Sequence, residues 1–327
     1  MKKGNIVIVV LLSVLAFVLV SIIGLASLLM IFCGDKEQEN GKAPSQTESA
    51  SPKNEDMQEG LTVSGDLGKL AEGLNVNKGY IGKVPVIEYF DATLGVKGKP
   101  IVILLHGLSG EKETFEGMAT VLAQAGFLVV TPDLYLHGER KEKSDLTPVH
   151  IAVESSGEIN QILEYYEGTE LADVSRVGLM GFSMGGMTAY HYVANGDYPV
   201  TVLGILCSTA KWEDLKSGTT IYNRYSNGRL IGLSKKDYEE VNQYVDANSP
   251  YAKVLEKTDV VYGIIVGGKD PIIPSDGTIK MCQELQANGA NVTIELKEEK
   301  GHDVTEEDLV TMLYFFHEHL KPVATLE

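Results

Sequence analysis

The chain holds 327 residues, 44% of them hydrophobic and 22% charged, with 34 glycines, three cysteines and a formal charge of −17. These proportions exclude a disordered chain, a disulfide-stapled mini-protein, a collagen and a coiled coil. The negative charge repels phosphate backbones and no Lys/Arg-rich run offsets it, so no nucleic-acid partner is expected.

In chain order, the first feature is apolar. From Ile6 to Phe32 nearly every residue is apolar or small and none is charged, a run longer than the ~20 residues that cross a bilayer core. Lys2 and Lys3 precede it, while Asp35, Lys36, Glu37 and Glu39 follow it. The positive-inside bias then makes residues 1–33 a membrane anchor with its N-terminus inside and the rest of the chain extracytoplasmic. A cleaved signal segment is the competing reading, because Gly24, Leu25 and Ala26 offer small residues at a suitable spacing; the protein would then be secreted with a mature terminus near Ser27. Cys33 suggests lipid attachment, but Phe32 stands where a small residue should precede it.

Residues 34–60 are Glu, Gln, Asn, Ser, Lys, Thr and Pro with almost nothing apolar, which reads as a polar, disordered tether. Residues 1–60 together contain five basic and seven acidic residues, leaving 23 and 38 for residues 61–327, a charge of −15. Cys207 and Cys282 show no pairing pattern, and a bridge between them stays open.

Beyond residue 84, short apolar runs alternate with amphipathic stretches, the rhythm of a mainly parallel, doubly wound sheet covered on both faces. Seven strands are predicted: Val84–Asp91, Ile101–His106, Phe127–Pro132, Arg176–Gly181, Thr201–Cys207, Val260–Val266 and Val292–Leu296. Helices are predicted at Phe115–Ala125, Val149–Tyr166, Met184–Ala194, Ser275–Ala287 and Thr305–Leu320. Ala210 to Lys257 is too long for a plain crossover helix and reads as an inserted cap, at about 210–257. Its Trp212, Tyr222, Tyr225, Tyr238 and Tyr244 either line an acyl pocket or form the cap's own core.

The chemistry starts at Gly181-Phe182-Ser183-Met184-Gly185-Gly186, a G-x-S-x-G pattern between a predicted strand and a predicted helix. A serine hydroxyl needs a base steadied by a carboxylate, and both should follow it with the acid first. Asp270 lies in Gly-Gly-Lys-Asp-Pro after the penultimate strand and His302 in Lys-Gly-His-Asp after the last one. Both therefore fall at strand C-terminal ends, where a doubly wound sheet places its ligands. Asp303 and Glu298 are alternative acids; His150, His191, His317 and His319 are weaker alternatives for the base. The backbone N–H groups of Met184, at a helix N-terminus, and of Leu108, in His106-Gly107-Leu108-Ser109-Gly110, are the candidate oxyanion donors, with His106 organising that loop.

Together these motifs resemble the α/β-hydrolase superfamily over about residues 80–320. The nearest branch is that of dienelactone-hydrolase and esterase-type serine hydrolases, related to prolyl-oligopeptidase catalytic domains. The resemblance implies a carboxylesterase: Ser183 stands where dienelactone hydrolases proper carry cysteine. Pro132-Asp133-Leu134-Tyr135-Leu136-His137-Gly138 resembles a further family loop, making Asp133 and His137 structural or pocket-lining. No metal or dinucleotide motif is present, so no cofactor is implied. The expected substrate is a small ester or acyl compound. Peptidase, thioesterase and acyltransferase activity on the same triad are alternatives, and so is a non-catalytic surface-binding module.

Overall fold

The computed structural model describes residues 60–63, 73–215 and 223–321. The chain divides into two units, Met1–Gln58 and Glu59–Glu327, and all described residues belong to the second. The apolar run and nearly all of the polar tether lie outside the described residues, as does Tyr222. Among those described, no helix is long and apolar enough to cross a membrane.

One sheet of nine strands organises the unit. In chain order they are β1 (Gly60–Val63), β2 (Leu74–Ile81), β3 (Val84–Asp91), β4 (Lys99–Leu105), β5 (Leu128–Pro132), β6 (Ala172–Phe182), β7 (Val202–Leu206), β10 (Val261–Gly267) and β11 (Asn291–Lys297). A separate hairpin supplies β8 (Arg224–Ser226) and β9 (Arg229–Ile231). The sheet order is β1-β2-β3-β5-β4-β6-β7-β10-β11. The strands from β5 to β11 in that order run parallel, whereas β1, β2 and β3 form an antiparallel edge. All seven predicted strands are present, but the sheet is two strands wider than the sequence indicated. The added β2 lies between the short edge strand β1 and β3; its mostly half-buried residues, Leu-Asn-Val-Asn-Lys-Gly-Tyr-Ile, have a polar content that hides the apolar alternation of a central strand.

Helices cover both faces: α1 (Glu116–Gln124), α2 (Pro148–Glu167), α3 (Met184–Asn195), α6 (Ser275–Ala287) and α7 (Glu306–Leu320), with α4 (Lys235–Asn248) and α5 (Tyr251–Val254) between β7 and β10. Alternation along the strands divides the core. Ile101, Ile103 and Leu105 of β4 pack with α2, α3 and α6, while Val102 and Leu104 pack with α1 and α7. On the second face Gly178, Gly204 and Gly263 make a floor under α7. A Cβ on any of them would come within 3.0 Å of Phe315 or Phe316. This close seat fixes the C-terminal half of α7, the helix that follows the His302 loop.

Candidate active site

Ser183 turns the chain from β6 into α3 with φ 53° and ψ −117°, a left-handed conformation that L-residues adopt only under constraint. The constraint is steric and comes from its glycines. A Cβ on Gly185 would lie 2.2 Å from the Leu105 carbonyl oxygen, one on Gly181 2.3 Å from that of Gly185, and one on Gly186 2.4 Å from Ser208. Ser208 Oγ donates to the Ser183 carbonyl at 2.7 Å, and Ser183 N–H donates to the Leu206 carbonyl at 3.0 Å, anchoring the turn to β7.

The loops after β10 and β11 pack backbone against backbone. A Cβ on Gly267 or Gly268 would strike the Gly301 or Glu298 carbonyl oxygen within 2.6 Å, and Gly268 and Lys269 N–H donate to Lys297 and Lys300 carbonyls at 2.9 Å each. This contact brings Asp270 to His302: His302 Nδ1–H donates to Asp270 Oδ2 at 2.7 Å, and Ser183 Oγ–H donates to His302 Nε2 at 2.7 Å. Burial pushes the Asp270 carboxyl up, but hydrogen bonds from His302 and from the N–H groups of Ile273 and Ile272 outweigh it and hold it below the usual carboxylate range. Asp303, considered from sequence as an acid, instead faces Lys300 at 3.6 Å. The buried Lys300 also pairs with the wholly buried Asp308 at 2.6 Å, and Asp308 caps α7 through Thr305. His302 therefore sits on a loop braced at its helix end.

Met184 is the first residue of α3, so its N–H lacks an intrahelical partner. Leu108 lies in the loop after β4, packed partly against the core. His106 is 1% exposed; its Nδ1–H donates to the Gly107 carbonyl at 2.8 Å and its Nε2 accepts Leu134 N–H at 3.1 Å, which fixes its tautomer. Burial, with His137 nearby, pushes its pKa down to about 3, so it stays neutral. Non-glycine residues with positive φ collect on this rim: Ser109 (67°), Leu136 (60°), Ser183 (53°) and Cys207 (46°) follow β4, β5, β6 and β7 in turn.

The segment between β7 and β10 contains a short 3-10 turn at Trp212–Leu215, the β8–β9 hairpin, α4 and α5. Three of its aromatic rings stack on histidines of the sheet domain: Tyr225 on His137 at 4.5 Å and 8°, Tyr244 on His150 at 3.8 Å and 25°, and Trp212 on His191 at 5.8 Å and 17°. The sequence offered these aromatics as pocket lining or cap core; in the structure these three rings contact histidines of the sheet domain. Burial lowers all three histidine pKa values, to about 4 for His137 and His191. Backbone bonds join the hairpin to the loop after β5, from Tyr225 N–H to Leu146 and from Asn227 N–H to Glu142, at 2.7 and 2.8 Å. Cys207 and Cys282 are free and buried, which leaves no bridge between them.

Residues 113–323 match the model of the prolyl oligopeptidase family. The chain belongs to that family. It is similar to the esterase YjfP of Escherichia coli (strain K12), 23% identical over 253 residues that span 73% of this chain and 97% of that one. It is also similar to the YitV protein of Bacillus subtilis (strain 168), 34% identical over 108 residues, 30% of this chain but only 42% of that relative's length. A Klebsiella pneumoniae structure described as a dienelactone hydrolase shares the fold, with a TM-score of 0.50, 18% identity and coverage of 80% of this chain and 97% of that one. The fold is that of the α/β-hydrolases, within a hydrolase family that has esterase-named members.

Proposed function

We propose that this hydrolase cleaves carboxylic esters through an acyl-enzyme on Ser183. One observation carries the reading: the continuous relay Asp270–His302–Ser183, with both hydrogen bonds at 2.7 Å. Ser183 Oγ attacks the acyl carbonyl while His302 Nε2 takes its proton; Asp270 keeps the other ring nitrogen protonated and steadies the imidazolium that forms. The N–H groups of Leu108 and Met184 receive the oxyanion, the alcohol leaves with the proton from His302, and water repeats the sequence to release the acid. Family membership supports peptide-bond cleavage as a second reading on the same groups.

The apolar run at 6–32 and the polar stretch after it support a membrane-anchored or, after cleavage, secreted enzyme whose catalytic part faces outward. Its substrate in this reading is a small ester, and the acidic domain favours neutral or cationic ones. A fluorophosphonate probe tests the mechanism: one adduct on Ser183, with loss of p-nitrophenyl acetate hydrolysis in Ser183→Ala by about 10⁴-fold or more, is the expected result. An unlabelled serine in folded protein would overturn it. Intact chain retained in the membrane fraction supports the anchor; a mature terminus near Ser27 supports secretion.

A further inference from the structure

We propose that Asp133 is a positioning residue for the oxyanion loop, acting with its neighbour Leu134 as a clasp on both ends of that loop. The proposal rests on the esterase reading above. The loop runs from His106, at the end of β4, to Lys112, ahead of α1. At its start, Leu134 N–H donates to His106 Nε2 at 3.1 Å; at its end, Asp133 Oδ1 accepts Lys112 N–H at 2.8 Å. Two consecutive residues after β5 thus hold two points of the loop six positions apart. The first grip is passed inward, since His106 Nδ1–H binds the Gly107 carbonyl, which also accepts Gly110 N–H at 3.0 Å. Leu108 and the left-handed Ser109 lie between the grips, so the direction of Leu108 N–H depends on both of them.

Asp133 is built to act as a fixed point. Its carboxylate is 0% exposed, accepts Glu139 N–H at 3.0 Å on Oδ2 and faces Lys112 Nζ at 3.2 Å, while its own N–H donates to the Pro85 carbonyl at 2.8 Å. A buried carboxylate without such partners would be costly, and the Lys112 ammonium, itself 2.6 Å from Glu139, supplies the counter-charge. Gly138 has φ +54°, and a Cβ there would lie 2.0 Å from the carboxyl, so the loop after β5 admits only glycine beside this side chain. None of these contacts involves Ser183, His302 or Asp270. The clasp acts on where the oxyanion donor points, and displacement of a donor by about 1 Å is enough to cost on the order of 10²-fold in rate.

The test uses the full chain, with wild-type hydrolysis of p-nitrophenyl acetate established first. Its absence overturns the esterase reading, a different failure from that of the clasp. Asp133→Asn keeps the shape but leaves one of its N–H partners without an acceptor. We expect kcat to fall about 10- to 100-fold with KM within about threefold. Inhibition by a trifluoromethyl ketone, whose adduct on Ser183 places an oxyanion in the hole, should weaken by the same factor as kcat/KM. A role confined to stability would lower the melting temperature and leave ketone affinity per folded molecule unchanged. Gly138→Ala displaces the carboxylate without removing it and serves if Asp133→Asn does not fold. Folded variants with kcat and ketone affinity within twofold of wild type would overturn the proposal.

Discussion

The rim that carries Ser183, Asp270 and His302 and the cap between β7 and β10 are held to the sheet by different means. On the rim, backbone meets backbone: Gly185 against the Leu105 carbonyl, and Gly267 and Gly268 against Gly301 and Glu298. In the cap, side-chain faces meet: Tyr225, Tyr244 and Trp212 lie flat on His137, His150 and His191. Backbone contacts at that range accept only glycine and fix positions to a fraction of an ångström, as a relay of 2.7 Å hydrogen bonds needs. Ring stacking tolerates sliding and other rings, so the cap's seat is the more adaptable of the two.

The comparison can be broken from either side. The largest effect is expected at Gly185→Ala, where the new Cβ overlaps the Leu105 carbonyl oxygen at 2.2 Å. It should cost about 3 kcal/mol or more and leave little soluble protein, and urea unfolding of the soluble fraction measures it. Acid comes next. His106, His137 and His191 have folded-state values of about 3, 4 and 4, below the ordinary 6.5, so the unfolded chain binds more protons within that window. Stability should be complete above about pH 6.5 and fall as pH drops toward 4, by about 3 kcal/mol for each of these histidines. Two of these histidines carry cap rings, so limited proteolysis at pH 5 should cut the cap before the sheet domain; simultaneous cutting of both would contradict the distinction.

Tyr225→Ala removes a wholly buried ring from His137 and should cost about 3 kcal/mol locally. Protease sensitivity should rise near the hairpin and the preferred acyl length should shift, while Ser183 still reacts with a fluorophosphonate. The smallest change is expected for Tyr244→Ala, whose ring is only partly buried: about 1 kcal/mol in the melting equilibrium and less than a threefold change in turnover.

The same contrast explains what could be read from the sequence. Glycines forced by backbone contact leave a fixed spacing, so Ser183, Asp270 and His302 could be picked out before any coordinates, as could the strands that carry them. Antiparallel β2 escaped because its residues, half-buried beside the short edge strand β1, are polar enough to break an apolar pattern. The β8–β9 hairpin escaped despite a usable signal: Asn227-Gly228 has φ 49° and 77°, the pair of positive values that a tight hairpin turn requires. The histidine stacks had no short signal, because each joins residues far apart in the chain through side-chain orientation; the loop motif marked Asp133 as structural or pocket-lining but not its contact with the Lys112 N–H. His137 and His150 could be placed on a loop and a helix start, but not beneath a particular ring.

The row of left-handed residues on the rim has a consequence for engineering. Each non-glycine residue in that conformation stores on the order of 1 kcal/mol, and here Ser109, Leu136, Ser183 and Cys207 end four neighbouring strands. The molecule is therefore not tuned for heat resistance where it is most constrained, and Leu136 and Cys207, which lie outside the relay, are the places to recover the difference. Glycine at either position would relieve strain at the expense of packing, so thermal hardening of this scaffold calls for repacking around the rim rather than reinforcement of an already close-packed sheet.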